Sequence, residues 1–327
     1  MRQRRLEIEL LKFIAAIMVV ILHVFEPGGG IHQFIYLIGS FGIPLFFMIN
    51  GYLLSEKNID FAYANRKLFN YVKFIAMWTL IIGIPLSIFQ HRFALIWLFV
   101  DAINGKGLLF HLWFLAGLVA LYYIKALSKK LTLSRNMNFG EIIGLIVLLL
   151  SLSFCLNILL KCLYDLEIRD IVSPGLRIVT NGCYFILGQN IRKCKFRNHQ
   201  KSLLFMFIVS IFGVYAVSTI IGNKWASTMY SSIPVLVGTV ALFLLITNNS
   251  LNTSEWPSNV QHILTMSTGI WILHPFVLKV INKIHRVLFG EIGFISKLLI
   301  LIITITISCL ITHRLNKSKY LSRLIKV

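Results

Sequence analysis

The first long apolar segment, IELLKFIAAIMVVILHV, carries three ionisable residues: Glu9, Lys12 and His23. Eleven positions separate Lys12 from His23. On a helix this is about 1100° of rotation, which returns to within about 20° of the same face, and roughly 16 Å along the axis. An imidazole accepts protons near neutral pH, so His23 could activate a hydroxyl for attack on an activated acyl group, or take up the acyl group itself. Glu26, three residues further on, either orients this imidazole or marks the end of the helix before Pro27.

Other apolar segments also contain polar side chains. The second segment contains FGIPLFFMINGYLL, in which Asn50 either faces inward or forms a hydrogen bond between two helices. Later segments carry His111 and Trp113 in HLWFL, Arg177 after SPGL, and His274 in ILHPF. An ionisable group inside a membrane span costs several kcal/mol unless it meets a partner or a wet cavity. One such His could lie at the membrane interface, but several at comparable depth on separate helices indicate a functional site.

The composition is that of a membrane protein. Of 327 residues, 57% are hydrophobic and 13% are charged, with a mean hydropathy of +0.80, whereas a soluble domain carries about a quarter charged residues. The 32 Lys and Arg lie in clusters between apolar runs, which is typical of cytoplasmic loops and argues against a nucleic-acid partner. The five cysteines form no CxxC pair, so we expect no disulfide framework and no metal site.

Runs of about 17–25 mostly apolar residues predict ten transmembrane helices in an all-α bundle. Residues 93–104 are apolar but too short to span, so we expect an interfacial or re-entrant segment. The predicted spans are 8–25, 33–54, 71–89, 110–127, 140–160, 174–191, 202–221, 229–247, 264–284 and 292–312.

The distribution of basic residues predicts the orientation of the bundle. With ten spans, 21 Lys and Arg lie on the side of the two termini and nine on the opposite side, so both termini are predicted to be cytoplasmic. We expect a single membrane domain over residues 1–327, with a bundle over about 8–312 and a basic cytoplasmic tail over 313–327.

Five features resemble, in order and spacing, acyltransferase family 3 of bacterial integral-membrane O-acyltransferases. They are Lys12-x10-His23, FGIPLFFMINGYLL, Arg66 before the third helix, HLWFL at 111–115 and ILHPF at 272–276. The resemblance covers essentially the whole chain, in the short form without an extracytoplasmic esterase-like domain. It implies about ten helices in the bacterial inner membrane, and an acyl-CoA donor, commonly acetyl-CoA, reached from the cytoplasm. The implied acceptor is a hydroxyl of a cell-surface or lipid-linked glycan.

In the family, the basic residue and the His of the first span are the essential pair, and they correspond here to Lys12 and His23. The chain departs from the usual pattern in having Lys for Arg at position 12, Asn50 for Ser, and only one matching arginine, Arg66, before the third helix. Cationic groups on the cytoplasmic side would hold the phosphates of coenzyme A.

The predicted site therefore has three parts. Catalytic candidates are His23, Glu26, His111 and His274; donor-binding candidates are Lys12, Arg66 and Asn50; candidates on the acceptor side are Arg177 and Trp113. We expect no permanently bound cofactor, with acyl-CoA, the glycan acceptor and the lipid bilayer as partners. Two other functions stay open from the sequence: a transporter or flippase of a lipid-linked sugar, and a non-catalytic scaffold of a glycan assembly complex.

Overall fold

A computed structural model describes residues 6–90, 94–131, 138–164, 174–192, 199–248 and 256–326. Within these ranges all regular secondary structure is helical, as the sequence predicts. Several residues used to predict the orientation lie outside the described ranges. They are the basic residues in 1–5 and 193–198, Arg92, Arg135 and the predicted outer loop at 165–170.

The described ranges contain fourteen α-helices. They are α1 (Leu6–Val24), α2 (Gly30–Ile38), α3 (Gly42–Leu53), α4 (Phe61–Gln90), α5 (Leu95–Asn104), α6 (Trp113–Lys130), α7 (Phe139–Tyr164), α8 (Pro174–Ile191), α9 (Gln200–Ile220), α10 (Ala226–Met229), α11 (Ile233–Thr247), α12 (Ser258–Leu264), α13 (Ser267–Phe289) and α14 (Phe294–Asn316).

Six helical segments in the described ranges are long and apolar enough to cross a membrane. The α12–α13 pair, bent by 62°, raises this to seven if it is one span. The other three predicted spans correspond to α1, α8 and α11, so the count of ten remains a prediction. The six segments are Gly30–Leu53, Phe61–Phe89, Phe110–Lys130, Phe139–Leu159, Gln200–Ile220 and Phe294–Asn316.

The three remaining helices differ from these segments for physical reasons. α1 carries Glu7, Glu9 and Lys12 in its first two turns, α8 is rich in polar residues and glycine, and α11 has 15 residues. α1 and α8 also pack inside the bundle, α1 against α3, α13 and α14, and α8 against α3. A helix enclosed by protein needs no continuous apolar surface towards lipid.

The contact between α3 and α8 is the most extensive between two helices. It depends on Gly51 and Gly188, where the two backbones meet directly. A Cβ atom on Gly51 would lie 2.0 Å from the carbonyl oxygen of Phe185, and one on Gly188 would lie 2.0 Å from that of Met48. Because no side chain fits between the helices at either position, glycine is required there.

Two antiparallel pairs determine which residues share an end of the bundle. Gly39 contacts Leu22 and Gly42 contacts Ala15, so α1 and α3 run in opposite directions and Lys12 lies towards the end of α3. α13 and α14 are also antiparallel, since Gly269 contacts Thr312. The start of α14 therefore lies beside the end of α13, and Phe294 contacts Phe25 with ring centroids 6.2 Å apart. His23 consequently lies near the α13–α14 turn.

The short helix α5 and the end of the chain complete the bundle. α5, within the segment predicted not to span, is a helix of ten residues and is too short to cross the hydrocarbon. α14 extends to Asn316, four residues beyond the predicted end of the last span. The chain then folds back, and the indole nitrogen of Trp78 on α4 donates a hydrogen bond of 3.1 Å to the carbonyl of Leu324. Ser322 and Ile325 are buried, so the last turn of the predicted tail packs against the bundle.

Candidate functional site

Three imidazoles from three separate helical segments meet in the bundle. The rings of His23 on α1 and His274 on α13 are stacked, with centroids 5.3 Å apart and planes at 24°. His111, in the 3-10 turn that precedes α6, contacts His274 with ring centroids 6.0 Å apart. The sequence predicts all three as catalytic candidates, and the structure brings them together.

The hydrogen bond of His274 defines its tautomer. Its Nδ1 lies 3.1 Å from the carbonyl oxygen of Ile270, and since a carbonyl can only accept, Nδ1 carries the hydrogen and Nε2 the lone pair. This Nε2 and both ring nitrogens of His111 are buried, with no hydrogen-bond partner among the residues that the structure describes. Buried polar atoms are normally hydrogen-bonded, so three such atoms in one cluster indicate a place where a ligand or a reacting group binds.

Aromatic side chains enclose the cluster. Phe110 contacts the ring of His23 at 4.8 Å between centroids, and Trp271 and Phe276 contact His111 at 5.6 and 6.0 Å. The ring of Phe276 in turn stacks on Trp78 with planes only 8° apart. These rings exclude water from the inner side of the cluster, which strengthens any electrostatic interaction made there.

His23 is half-buried and lines a cavity of about 590 Å³. The cavity lies at the end of α1 and beside the turn between α13 and α14. Its other polar lining residues are Glu26, Asn282, Arg286, Glu291 and Lys297. His23 therefore connects the buried histidines to an open, charged cavity.

Glu26 shares this cavity with His23 and also ends α1. Its φ of 37° lies in the left-handed region, which is uncommon for residues other than glycine and is typical of a residue that terminates a helix. Such a conformation costs about 1–3 kcal/mol and is often found at functional sites. Glu26 therefore marks the end of the helix and also lies where it could orient His23.

The predicted donor-binding residues lie towards the other end of α1. The ammonium of Lys12 forms an ion pair of 3.1 Å with Glu9 one turn earlier. Lys12 is partly exposed at 27% of its side chain, so a ligand phosphate could compete with this carboxylate. Asn50 donates a hydrogen bond of 2.9 Å to the carbonyl of Phe46 in its own helix, so this contact joins no second helix.

Arg66 is exposed near the start of α4, with its guanidinium 5.6 Å from the ring centroid of Tyr63. Further cations surround the adjoining ends of α3, α4, α6 and α8. Lys129 donates to Asn58 at 2.6 Å, and Arg192 pairs with Glu56 at 2.8 Å. We call this region the basic surface; it comprises Lys57, Arg66, Lys67, Lys129, Lys130 and Arg192. It is the surface best suited to attract a polyanionic donor.

Arg177 and Trp113, predicted on the acceptor side, do meet each other. The guanidinium of Arg177 lies 5.2 Å from the ring centroid of Trp113, and both line a cavity of about 130 Å³. The Nε of Arg177 is buried without a hydrogen-bond partner in the described part of the chain. This smaller cavity shares no lining residue with the cavity at His23. The structure thus separates these two residues from the histidine cavity.

Sequence reasoning missed the charged lining of the larger cavity. In the sequence analysis, Arg286 and Lys297 are counted only as basic residues on the outer side, and Asn282 and Glu291 are not among the candidate residues. These residues could have been identified from their position, because they lie near the ends of two successive apolar segments. The short connection between the segments requires the two ends to be neighbours.

The fold and the site define a helical membrane protein with a buried histidine cluster that opens into a charged cavity. The profile of acyltransferase family 3, an acyltransferase domain, matches residues 5–314, and the chain belongs to this family. An amino-acid racemase of Enterococcus faecalis is 24% identical over 310 residues, which is 88% of this chain and 43% of the racemase. The chain thus spans less than half the length of that relative. No solved structure matches.

Proposed function

We propose that this acyltransferase moves an acetyl group from cytoplasmic acetyl-CoA to a hydroxyl of a cell-surface or lipid-linked glycan. The observation that carries the proposal is the meeting of His23, His274 and His111 at the inner end of an open cavity. A histidine that reaches solvent while contacting buried imidazoles is suited to take a proton from a hydroxyl or to accept an acyl group. Membership of the acyltransferase family supports acyl transfer as the chemistry.

In this proposal, acetyl-CoA binds at the basic surface and near Lys12, where cations would hold its phosphates. Roughly 16 Å of α1 separates Lys12 from His23, a distance that the pantetheine arm can cover. The acceptor reaches His23 from the cavity on the opposite side. The bundle lies in the bacterial inner membrane, and both termini and the basic surface face the cytoplasm.

The test of this function is whether the purified protein in nanodiscs releases or transfers acetyl from labelled acetyl-CoA. We expect turnover, with labelled acetate formed when water is the acceptor. A transporter or a scaffold would leave acetyl-CoA intact, and that result would contradict the proposal.

The proposed orientation predicts opposite accessibility for two exposed lysines at opposite ends of α9. In a cysteine-free background, Lys201→Cys should resist a membrane-impermeant thiol reagent in intact cells, whereas Lys224→Cys should react. The reason is the 21-to-9 excess of basic residues on the side of Lys201. Labelling of Lys201→Cys from outside would reverse the orientation and the donor side with it.

Donor binding should depend on Lys12 and Arg66. Removal of a cation that contacts phosphate loses a charge-assisted hydrogen bond of about 1.5–3 kcal/mol, so Lys12→Ala and Arg66→Ala should each raise KM for acetyl-CoA at least about tenfold. Lys12→Arg should retain part of the affinity because the charge is kept. Steady-state kinetics provides the measurement.

Two controls keep this prediction specific. Lys106→Ala removes an exposed cation outside the basic surface and should leave KM unchanged. Combining Lys12→Ala with Glu9→Gln removes the carboxylate that Lys12 pairs with, so an unpaired Glu9 cannot cause the effect. If Lys12→Ala abolishes turnover while donor affinity stays the same, Lys12 does not bind the donor.

A further inference from the structure

The cavity at His23 has a lining that acyl transfer alone does not require. Besides His23 it contains two cations, Arg286 and Lys297, and two carboxylates, Glu26 and Glu291. Its volume of about 590 Å³ falls in the range of sites that enclose organic ligands of several hundred daltons. A cavity built only to admit a hydroxyl group would need neither this volume nor these charges.

The two cations converge on the cavity from two helices. Arg286 lies four residues after Asn282 on α13 and therefore on the same helix face. Lys297 lies in the first turn of α14, and the short connection between the helices places that turn beside the end of α13. Both cations thus line the cavity beside the α13–α14 turn, which also carries Glu291.

Neither cation has a carboxylate within ion-pair distance in the described part of the chain, unlike Lys12 and Arg192, which are paired. Two cations without a carboxylate partner in one cavity favour a ligand with a multiply charged anionic group, and phosphate is such a group that Arg and Lys commonly bind. The carboxylates of Glu26 and Glu291 can accept hydrogen bonds from hydroxyl groups. The lining therefore suits a ligand with both phosphate and hydroxyl groups.

The surroundings of the cations indicate how such a ligand arrives. The side chains that flank them at the end of α13 and the start of α14 are large, apolar and strongly exposed: Val287 at 77%, Phe289 at 73% and Ile295 at 73%. In a membrane protein such side chains face lipid. The two cations therefore lie at the edge of a lipid-facing surface, where the phosphate of a lipid-linked compound could reach them while its chain stays in the bilayer.

We propose that Arg286 and Lys297 bind a phosphate ester group of the acceptor and so hold its hydroxyl near His23. This inference rests on the proposed function for the role of His23, but the phosphate site is defined independently of it. The ester belongs either to a lipid carrier or to a water-soluble phosphorylated saccharide. The exposed apolar flanks favour the lipid carrier.

Direct binding to the purified protein in nanodiscs tests this proposal without any acyl transfer. The probes are farnesyl diphosphate, which carries both phosphate and a short isoprenoid chain; farnesol, which lacks the phosphates; and inorganic diphosphate, which lacks the chain. Microscale thermophoresis gives Kd for each. The variants are Arg286→Gln and Lys297→Gln, with Lys283→Gln as the matched control. Lys283 is an exposed lysine one turn before Arg286 and does not line the cavity.

We expect farnesyl diphosphate to bind at least about tenfold more tightly than farnesol, and each glutamine variant at the cavity to weaken that binding at least about tenfold. Lys283→Gln should change Kd less than twofold. If inorganic diphosphate binds as tightly as farnesyl diphosphate, the phosphate site is supported and its ligand is water-soluble. Equal binding of farnesol, or binding that neither Arg286→Gln nor Lys297→Gln weakens, overturns the proposal. Loss of acetyl-CoA turnover has no bearing on these outcomes, so failure of the proposed function is recognised separately.

Discussion

Replacement of His23 by alanine is expected to lower acyl transfer by about 10²–10⁴ if this residue is a general base, and almost completely if it carries the acyl group. The reason is its position, because His23 contacts both buried His274 and the open cavity. His199→Ala, at an exposed histidine before α9, provides the matched control and should retain full activity. Near wild-type activity of a folded His23→Ala variant would move the active site elsewhere.

The two roles of His23 differ in the chemistry that they leave behind. As a carrier, its ring nitrogen attacks the thioester carbonyl, the carbon–sulfur bond breaks, and the thiolate of coenzyme A leaves. The ring proton of the acylated imidazole passes to the thiolate. The acceptor hydroxyl then displaces the imidazole, and the released ring nitrogen takes the hydroxyl proton. Labelled acetyl-CoA without acceptor should then leave a hydroxylamine-sensitive label on the wild type and none on His23→Ala. A general base leaves no label.

The second large effect concerns stability at the contact between α3 and α8. Gly51→Ala or Gly188→Ala places a Cβ atom 2.0 Å from a carbonyl oxygen of the facing helix. The helices must separate, and overpacking of this kind costs typically about 1–3 kcal/mol and occasionally more. We expect a clear fall in the thermal unfolding temperature in detergent, and a larger fall for Gly51→Val.

The control for this effect is Gly144→Ala, at a glycine of α7 where an added Cβ meets nothing within 4 Å. It should leave the unfolding temperature unchanged or raise it slightly, because alanine favours the helix by up to about 1 kcal/mol. Equal behaviour of Gly51→Ala and Gly144→Ala would contradict the close packing of α3 on α8.

Some of the site could be predicted from sequence because its signal is local. Helical periodicity places Lys12 and His23 on one face, and ionisable residues in apolar runs identify His111 and His274 as candidates. That the three imidazoles touch could not be predicted, since their contacts depend on how α1, α6 and α13 pack. The same holds for Arg177 and Trp113, which line a separate cavity.

The fold, like the site, could be predicted from the sequence only in part. The all-helical class follows from composition, and hydropathy finds the helices whose sides face lipid. Hydropathy identifies α1 and α8 less clearly as spans, because burial of these helices by protein removes the requirement for an apolar exterior. The charged lining at Arg286 and Lys297 was missed because residues near the ends of helices are read as loop charges until the turn between α13 and α14 brings them together.

In the proposed mechanism, acetyl passes from a donor at the basic surface to the cavity at His23. The direct measurement uses oriented proteoliposomes with doubly labelled acetyl-CoA supplied only on the side of the basic surface. Labelled acetyl should then appear on the side of the cavity, while coenzyme A stays on the donor side, and His23→Ala should lower the transfer at least about 10²-fold. Release of acetyl and coenzyme A on the same side, or passage of acetyl at an unchanged rate in His23→Ala, would contradict transfer through His23.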